Sequence, residues 1–386
     1  MQQALLIILT VIFGIYTLLI LYYWRGWLSI PEYKVKSQKS KTKITVIIPA
    51  RNEEGNMAVC LDSVCDQSYP TELFEVLVVD DHSTDETAAI VNSYADKNIR
   101  LISLKDFIGD ELNAYKKKAI EIAIQQSNGE LIVTTDADCW LPKDWLQTIA
   151  AFYEEHGPVF IAAPVSINCS NKFIEKFQAL DFMTLQGITG ASVHKKIHSM
   201  CNGANLAYNK NAFEEVGGFA GIDNIASGDD MLLMHKIYKR YPDKVMFLKS
   251  KDAMVQTAPV RSVQEFFNQR IRWASKADKY DDKRIFGVLL LVYLVNVLLL
   301  LLPVIAFFYE RPLVSGQWSL IKIWLFLLCL KTITELIFLY PVATFFNKQK
   351  MLWQFPLMQP FHILYTVIAG WLGKFGTYKW KGRHVK

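Results

Sequence analysis

Residues 1–24 carry no charged side chain, and a second apolar block begins near Ile285 and persists almost to the end of the chain. A polar stretch of mixed charge separates them, so the apolar residues do not belong to one water-soluble core. Of 386 residues, 52% are hydrophobic and only 20% charged, and the two apolar blocks account for the excess. A helix of about 20 apolar residues crosses the hydrocarbon core of a bilayer. Ala4–Trp24 meets that requirement. A cleaved signal peptide starts basic and ends on small residues, whereas this stretch has Met1-Gln2-Gln3 and Tyr22-Tyr23-Trp24, so a retained anchor is expected.

Arg25 and the ladder Lys34, Lys36, Lys39, Lys41 and Lys43 follow the anchor, which puts that side in the cytoplasm by the positive-inside rule. Three later segments are candidates to cross: Ile285–Tyr309, Trp318–Phe346 (with Lys322, Lys331 and Glu335) and Met351–Gly373, which contains Pro356 and Pro360. If all three cross, the basic tail of Lys374, Lys379, Lys381, Arg383 and Lys386 lies outside, against the charge rule. A re-entrant or interfacial last segment returns it to the cytoplasm, so two to three C-terminal spans are expected. The expected division is an anchor over 1–24, a basic linker over 25–42, and a polar α/β domain over 43–282 that includes an interfacial helix at 261–277. A membrane region over 283–373 and a basic tail over 374–386 complete it. The net charge of +5 comes mostly from membrane-flanking lysines and implies no nucleic-acid partner. The six cysteines lack paired metal-site spacing, and in a cytosolic domain they stay reduced.

Within the polar domain, short aliphatic runs (Ile44–Ile48, Val76–Val79, Ile99–Leu104, Leu131–Thr135) alternate with helical stretches (Glu54–Asp66, Thr84–Ala95, Asn113–Gln126). Such alternation predicts a parallel sheet covered on both faces, with ligands at the carboxyl ends of its strands. Three of these ends carry polar chemistry: Pro49-Ala50-Arg51-Asn52-Glu53, Asp80-Asp81-His82-Ser83 and Asp136-Ala137-Asp138. Any one of them could be a turn; three together suggest a shared crevice.

Asp136 and Asp138 flank one residue at a strand end, and two carboxylates with a diphosphate supply the oxygen ligands that Mg²⁺ or Mn²⁺ prefers. Gly228-Asp229-Asp230 stands directly before a helical run, where free backbone N–H groups hold a carboxylate at a defined angle. There Asp229 is expected to cap the helix and Asp230 to act as general base. Gln269, Arg272 and Trp273 share one face of a helix, where Arg can meet a diphosphate and Trp can stack on a sugar. The same helix also fits an amphipathic segment lying at the headgroups.

In this order the motifs resemble those of the family-2 glycosyltransferases, in the membrane-integrated branch with the cellulose, chitin and poly-N-acetylglucosamine synthases and the ceramide glucosyltransferase-like enzymes. The resemblance covers about residues 43–280. It implies a GT-A (Rossmann-like) α/β fold and inverting transfer from a nucleotide-diphosphate sugar to a lipid or glycan acceptor. It also implies a metal-dependent enzyme of the inner or plasma membrane, in contact with membrane lipids. Carried over residue by residue, it assigns Pro49, Arg51, Glu53, Asp80, Asp81, Lys116 and Asp136 to the nucleotide. Metal falls to Asp138 with Asp136, and the base to Asp230. Asn202, Gly203, Asp229, Gln269, Arg272 and Trp273 go to the acceptor or diphosphate. Tyr115 replaces the glycine that precedes the family's lysine, and Lys117 and Lys118 blur which lysine matches.

Three other readings stay open on the residues alone. One is a processive polysaccharide synthase, though the membrane region is shorter than in the polymer-exporting synthases. The second is a two-metal nucleotidyl polymerase, which would need Gly228-Asp229-Asp230 in a hairpin turn. The third is a non-catalytic scaffold or transporter with Lys331 and Glu335 as an intramembrane pair at i, i+4, a spacing that also suits a satisfied structural pair.

Overall fold

The structure is a computed structural model that describes residues 2–36, 40–107, 114–197, 200–223, 225, 228–276, 282–309, 319–376, 378–380 and 383–385. In chain order its elements begin α1 (Gln2–Ser29), β1 (Ile44–Ala50), α2 (Met57–Cys65), β2 (Phe74–Asp80), α3 (Thr87–Asn92), β3 (Ile99–Ser103), α4 (Tyr115–Gln125) and β4 (Leu131–Thr134). They continue with β5 (Cys139–Trp140), α5 (Trp145–His156), β6 (Phe160–Ala162), β7 (Val165–Ile167), α6 (Phe173–Lys195), β8 (Leu206–Asn209), α7 (Lys210–Glu215), α8 (Asp229–Arg240), β9 (Val245–Phe247) and β10 (Val255–Thr257). Four helices follow, α9 (Val263–Ala274), α10 (Lys283–Tyr309), α11 (Leu320–Phe345) and α12 (Phe355–Phe375), and then the short strands β11 (Tyr378–Trp380) and β12 (Arg383–Val385). The chain forms two compact units: residues 30–169 with 192–259, and residues 1–29 with 170–191 and 260–386.

The first unit is built on a seven-stranded sheet in the order β3-β2-β1-β4-β8-β6-β9. Val46, Ile47, Ile48, Val78, Val79, Ile132 and Val133 are all fully buried, as expected of strands covered on both faces. β1 pairs in parallel with both β2 and β4, and β2 with β3. The expectation of a parallel sheet holds for these strands and fails at β8, which runs antiparallel to both β4 and β6. Its entry is set by Asn205, buried without exposure. The Asn205 amide donates to the carbonyls of Pro164 and Ala253 at 2.8 Å each, and its oxygen accepts from Trp145 Nε1 at 2.9 Å. A second sheet, β5-β10-β7, includes the strand bearing Cys139. The register pairs Ala50 with Asp80, so the chemically loaded ends of β1 and β2 emerge side by side.

The second unit contains three helices long and apolar enough to cross a membrane: Gln3–Ser29, Lys283–Phe308 and Leu320–Phe345. The first runs past Trp24 to Ser29, so part of the expected basic linker is helical. α12 is a helix of 21 residues with Pro356 in its first turn and Pro360 inside it, and a 3₁₀ segment, Gln349–Gln354, precedes it. Lys331 and Glu335 form a satisfied pair. Lys331 Nζ donates to Glu335 Oε2 at 3.0 Å and to Gln359 Oε1 at 2.8 Å, while Glu335 also accepts from the Tyr16 hydroxyl and the Gln359 amide. The pair thus joins α1, α11 and α12, and this network supports its structural reading over a transport role.

Candidate active site

The loops after β1 and β2 are stitched together by their own polar groups. Asp81 N–H donates to Ala50 O at 2.8 Å, Asn52 N–H to Ser83 Oγ at 2.9 Å, Thr84 N–H to Asn52 Oδ1 at 2.9 Å, and Glu53 N–H to Thr87 Oγ1 at 2.8 Å. Asn52 and His82 adopt left-handed backbone (φ 51° and 54°), a conformation that Asn and His tolerate better than most residues. Asp80 and Asp81 are both buried. Asp80 Oδ1 accepts from Ser83 N–H at 3.2 Å. Asp81 Oδ1 lies 3.1 Å from His82 Nδ1 and 3.5 Å from an Arg51 nitrogen, and Arg51 also donates to the Asp81 carbonyl at 2.8 Å. The expected nucleotide contacts Arg51 and Asp81 are therefore neighbours. Glu53 accepts from the Asn56 side chain at 2.8 Å and helps start α2, and Pro49 is half-buried within β1.

β4 delivers Asp136 and Asp138 to the same edge of the sheet, Asp136 half-buried and Asp138 exposed. Lys116, in the first turn of α4, donates to Asp136 Oδ1 at 2.7 Å and lies 3.3 Å from Asp229 Oδ2. Burial pulls its ammonium down, but Asp136, Asp229 and Asp230 more than offset this and hold it above the ordinary lysine value. The three adjacent lysines separate cleanly. Lys117 is buried and donates to the carbonyls of Ile222 and Ile225 at 2.7 and 2.6 Å, and Lys118 pairs with Glu121 at 2.7 Å. Lys116 is the one paired with Asp136 and Asp229.

α8 carries the other half. Its N-cap is Gly228, whose φ of 80° lies in the left-handed region that glycine enters without strain. The expectation that Asp229 caps the helix is corrected: Asp229 is its first helical residue, buried and turned to Lys116. Asp230 accepts from Gly203 N–H at 3.0 Å and from Met231 N–H at 2.7 Å, which orients both of its oxygens. A Cβ at Gly203 would stand 3.2 Å from Lys116 Nζ, a tight approach to the end of a flexible side chain, and at ordinary contact distance from Asp229 Oδ2 (3.5 Å) and Asp230 Cβ (3.7 Å). Asn202 shapes the same turn by accepting from Ala204 N–H at 2.9 Å. The loop after β4, the turn before β8, α4 and α8 thus bring Asp136, Asp229 and Asp230 around Lys116, at the sheet end where the β1 and β2 loops also emerge.

The donor set fits a hard divalent cation. Asp136 and Asp138 offer carboxylate oxygens, and among the described residues no group of three or more His, Cys, Asp or Glu could hold a metal. An ion there would complete its shell with phosphate and water oxygens, as Mg²⁺ and Mn²⁺ do. The nearby thiols do not compete. Burial first, then the carboxylates of Asp136 and Asp138, push Cys60 and Cys139 up, so both stay protonated.

α9 lies in the other unit. Gln269, Arg272 and Trp273 were expected to present one face to ligand, yet Arg270 between them is the buried residue. Arg270 donates to Asp181 Oδ2 from Nε at 3.0 Å and a terminal nitrogen at 2.6 Å, and to Gln269 Oε1 at 2.7 Å. Its guanidinium also lies 4.2 Å from the Trp273 ring and 4.7 Å from the Phe266 ring. Gln269 and Trp273 are thereby engaged within their own unit, and Arg272 is half-buried. The i, i+3 spacing of Arg270 and Trp273 could have signalled this stacking, but nothing in the sequence points to Asp181.

Residues 45–217 match the family model described as glycosyl transferase family 2. The poly(ribitol-phosphate) β-N-acetylglucosaminyltransferase TarS of Staphylococcus aureus (strain Mu50 / ATCC 700699) is 36% identical over 115 residues, which are 30% of this chain and 19% of that protein. The β-monoglucosyldiacylglycerol synthase of Synechocystis sp. is 27% identical over 132 residues, 34% of this chain and 27% of that protein. The chain thus spans less than two thirds of either relative's own length. Among solved structures, the mannosyltransferase PcManGT from Pyrobaculum calidifontis, in complex with GDP-Man and Mn²⁺, superposes with a TM-score of 0.56 at 22% identity. That match covers 94% of this chain and 99% of the other, a likeness of fold. The sheet unit accordingly has the GT-A fold, and its residues 45–217 carry a domain that matches glycosyl transferase family 2.

Proposed function

We propose that this protein is a membrane-bound, inverting, metal-dependent glycosyltransferase. It moves a sugar from a nucleotide-diphosphate sugar to a hydroxyl of a lipid or glycan acceptor at the cytoplasmic membrane face. The observation that carries this reading is Asp230, held by the N–H groups of Gly203 and Met231 beside the Lys116–Asp136 pair at the strand ends. A base oriented by rigid backbone, next to a site suited to a diphosphate, is what direct displacement at a sugar carbon requires. TarS, named for a polymer acceptor, and the diacylglycerol-linked synthase, named for a lipid, support both acceptor classes.

In this mechanism Asp230 accepts the acceptor hydroxyl's proton as that oxygen attacks the anomeric carbon from the face opposite the leaving group. The bond between that carbon and the diphosphate oxygen breaks, and the nucleotide diphosphate departs with the electron pair. Asp80, Asp81 and Arg51 form the polar wall for the nucleotide, and Lys116 faces the diphosphate. A divalent ion held by Asp138 and Asp136 would neutralise charge on the leaving diphosphate. Among the described residues, three helices long and apolar enough to cross a membrane support the membrane-bound reading, and the basic residues that follow α1 support a cytoplasmic face.

The test is a panel of labelled nucleotide-sugars given to the membrane-reconstituted protein, with product sized by mass. One added sugar indicates single transfer, and a ladder indicates polymerisation. Asp230→Asn is expected to lower turnover about 10²–10⁴-fold while nucleotide still binds. Near-wild-type turnover in that variant rejects Asp230 as the base.

A further inference from the structure

We propose that Lys116 is a built-in competitor for the divalent ion, one that makes metal and nucleotide bind together rather than separately. The inference rests on the glycosyltransferase reading but concerns a step before chemistry.

The ammonium of Lys116 stands where a cation is most wanted, 2.7 Å from Asp136 Oδ1 and 3.3 Å from Asp229 Oδ2. Asp230 adds a third negative charge that favours it. Asp136 is at once a candidate metal ligand and the closest partner of this lysine. Two cations on one carboxylate repel each other, so an ion binding Asp136 must displace Lys116 or bind against its charge. Among the described residues no group of three or more His, Cys, Asp or Glu is arranged to hold an ion, so the protein alone offers little with which to outbid the lysine. Gly203 flanks Nζ, where even an added Cβ would stand 3.2 Å away.

A diphosphate resolves the conflict. It brings oxygen ligands for the metal and a new anionic partner for the ammonium. Lys116 has a flexible stem and three donors, so it can leave Asp136 for phosphate and keep Asp229. Metal without nucleotide therefore binds against the lysine, while metal with nucleotide does not. Such coupling is reciprocal: each ligand raises the other's affinity by the same factor, commonly about 5–150-fold. The lysine would thereby discourage idle metal loading and any charge mismatch at Asp230 when no donor is present.

The experiment titrates Mn²⁺ into the full-length reconstituted protein and reads free ion by electron paramagnetic resonance, alone and with saturating UDP or GDP. In the wild type, Mn²⁺ alone should bind weakly and the nucleotide should tighten it. Lys116→Met and Lys116→Gln should bind Mn²⁺ alone about tenfold tighter or better and lose most of the nucleotide-dependent gain, whereas Lys116→Arg, which keeps the positive charge, should still bind Mn²⁺ alone weakly. Thermal unfolding of each variant reports whether it is folded, and either neutral variant suffices. Unchanged or weaker binding of Mn²⁺ alone in a folded neutral variant overturns the inference. If wild type binds neither nucleotide at any Mn²⁺ concentration, the glycosyltransferase reading fails, and the nucleotide-free comparison still judges the lysine.

Discussion

Arg270 and Asp181, from helices 89 residues apart in sequence, meet as a buried ion pair in which two guanidinium nitrogens donate to the single oxygen Oδ2. The other carboxylate oxygen accepts from the Tyr365 hydroxyl, so α6, α9 and α12 share one charged centre. Both side chains are almost wholly buried, at 4% and 5% exposure. Removing one partner leaves the other's charge stranded away from water, whereas replacing both by apolar residues does not.

Asp181→Ala is accordingly expected to destabilise this unit by about 3–5 kcal/mol. The double variant Asp181→Leu with Arg270→Met should recover much of that loss. Thermal unfolding of the detergent-purified protein provides the check, and a double variant no more stable than Asp181→Ala would contradict the stranded-charge account.

The pair of Lys331 and Glu335 yields a graded expectation. Glu335→Gln keeps a group able to accept from Lys331 and Tyr16, while Glu335→Leu leaves the buried ammonium with Gln359 as its remaining acceptor among the contacts described above. The leucine variant should therefore unfold at a clearly lower temperature than the glutamine variant. Equal losses would show that hydrogen-bond acceptance at this position contributes little.

Gly203→Ala tests how tightly the carboxylate group is assembled. The added methyl would meet Lys116 Nζ at 3.2 Å and Asp229 Oδ2 at 3.5 Å, ends of side chains that can yield by small shifts. The fold should persist, with a stability loss of about 1–3 kcal/mol at most. Sugar transfer should fall more steeply, by up to about 10²-fold, because a small displacement of the base is costly. Steady-state kinetics beside a melting curve separates the two effects.

Acid should weaken the sheet unit through two carboxylates held below their ordinary values. Burial raises Glu154, but donors from Lys41 N–H and from Thr42 N–H and hydroxyl overcome it and lower its pKa. Asp85 is likewise raised by burial and then lowered further by the Thr87 hydroxyl and backbone N–H groups. A lowered folded pKa means the unfolded chain binds more protons, so this stability is present above the unfolded pKa and is lost as pH falls through the folded one. Urea midpoints measured from neutral pH downward should decline through the carboxylate range. Glu154→Gln should be weaker at neutral pH and flatter in acid, and a parallel decline would refute its share.

The sequence by itself determined the strands and the acids. The aliphatic runs at β1, β2, β3 and β4 are unmistakable because strands covered on both faces must be apolar throughout, and their edges were legible to within a few residues. Asp136, Asp138 and Asp230 were legible because each stands where a strand ends or a helix begins, and the apolar spans because bilayer thickness demands length. Tertiary structure alone decided direction and partnership. Nothing local in Leu206–Asn209 says that β8 runs against its neighbours, and its start is anchored by distant chain through Asn205, tied to Pro164, Ala253 and Trp145. Three consecutive lysines look alike in sequence, yet packing sends Lys117 to the carbonyls of Ile222 and Ile225, Lys118 to Glu121, and only Lys116 to Asp136. Periodicity specifies which face a residue occupies, whereas the charge it meets comes from chain far away in sequence, as Asp181 does for Arg270.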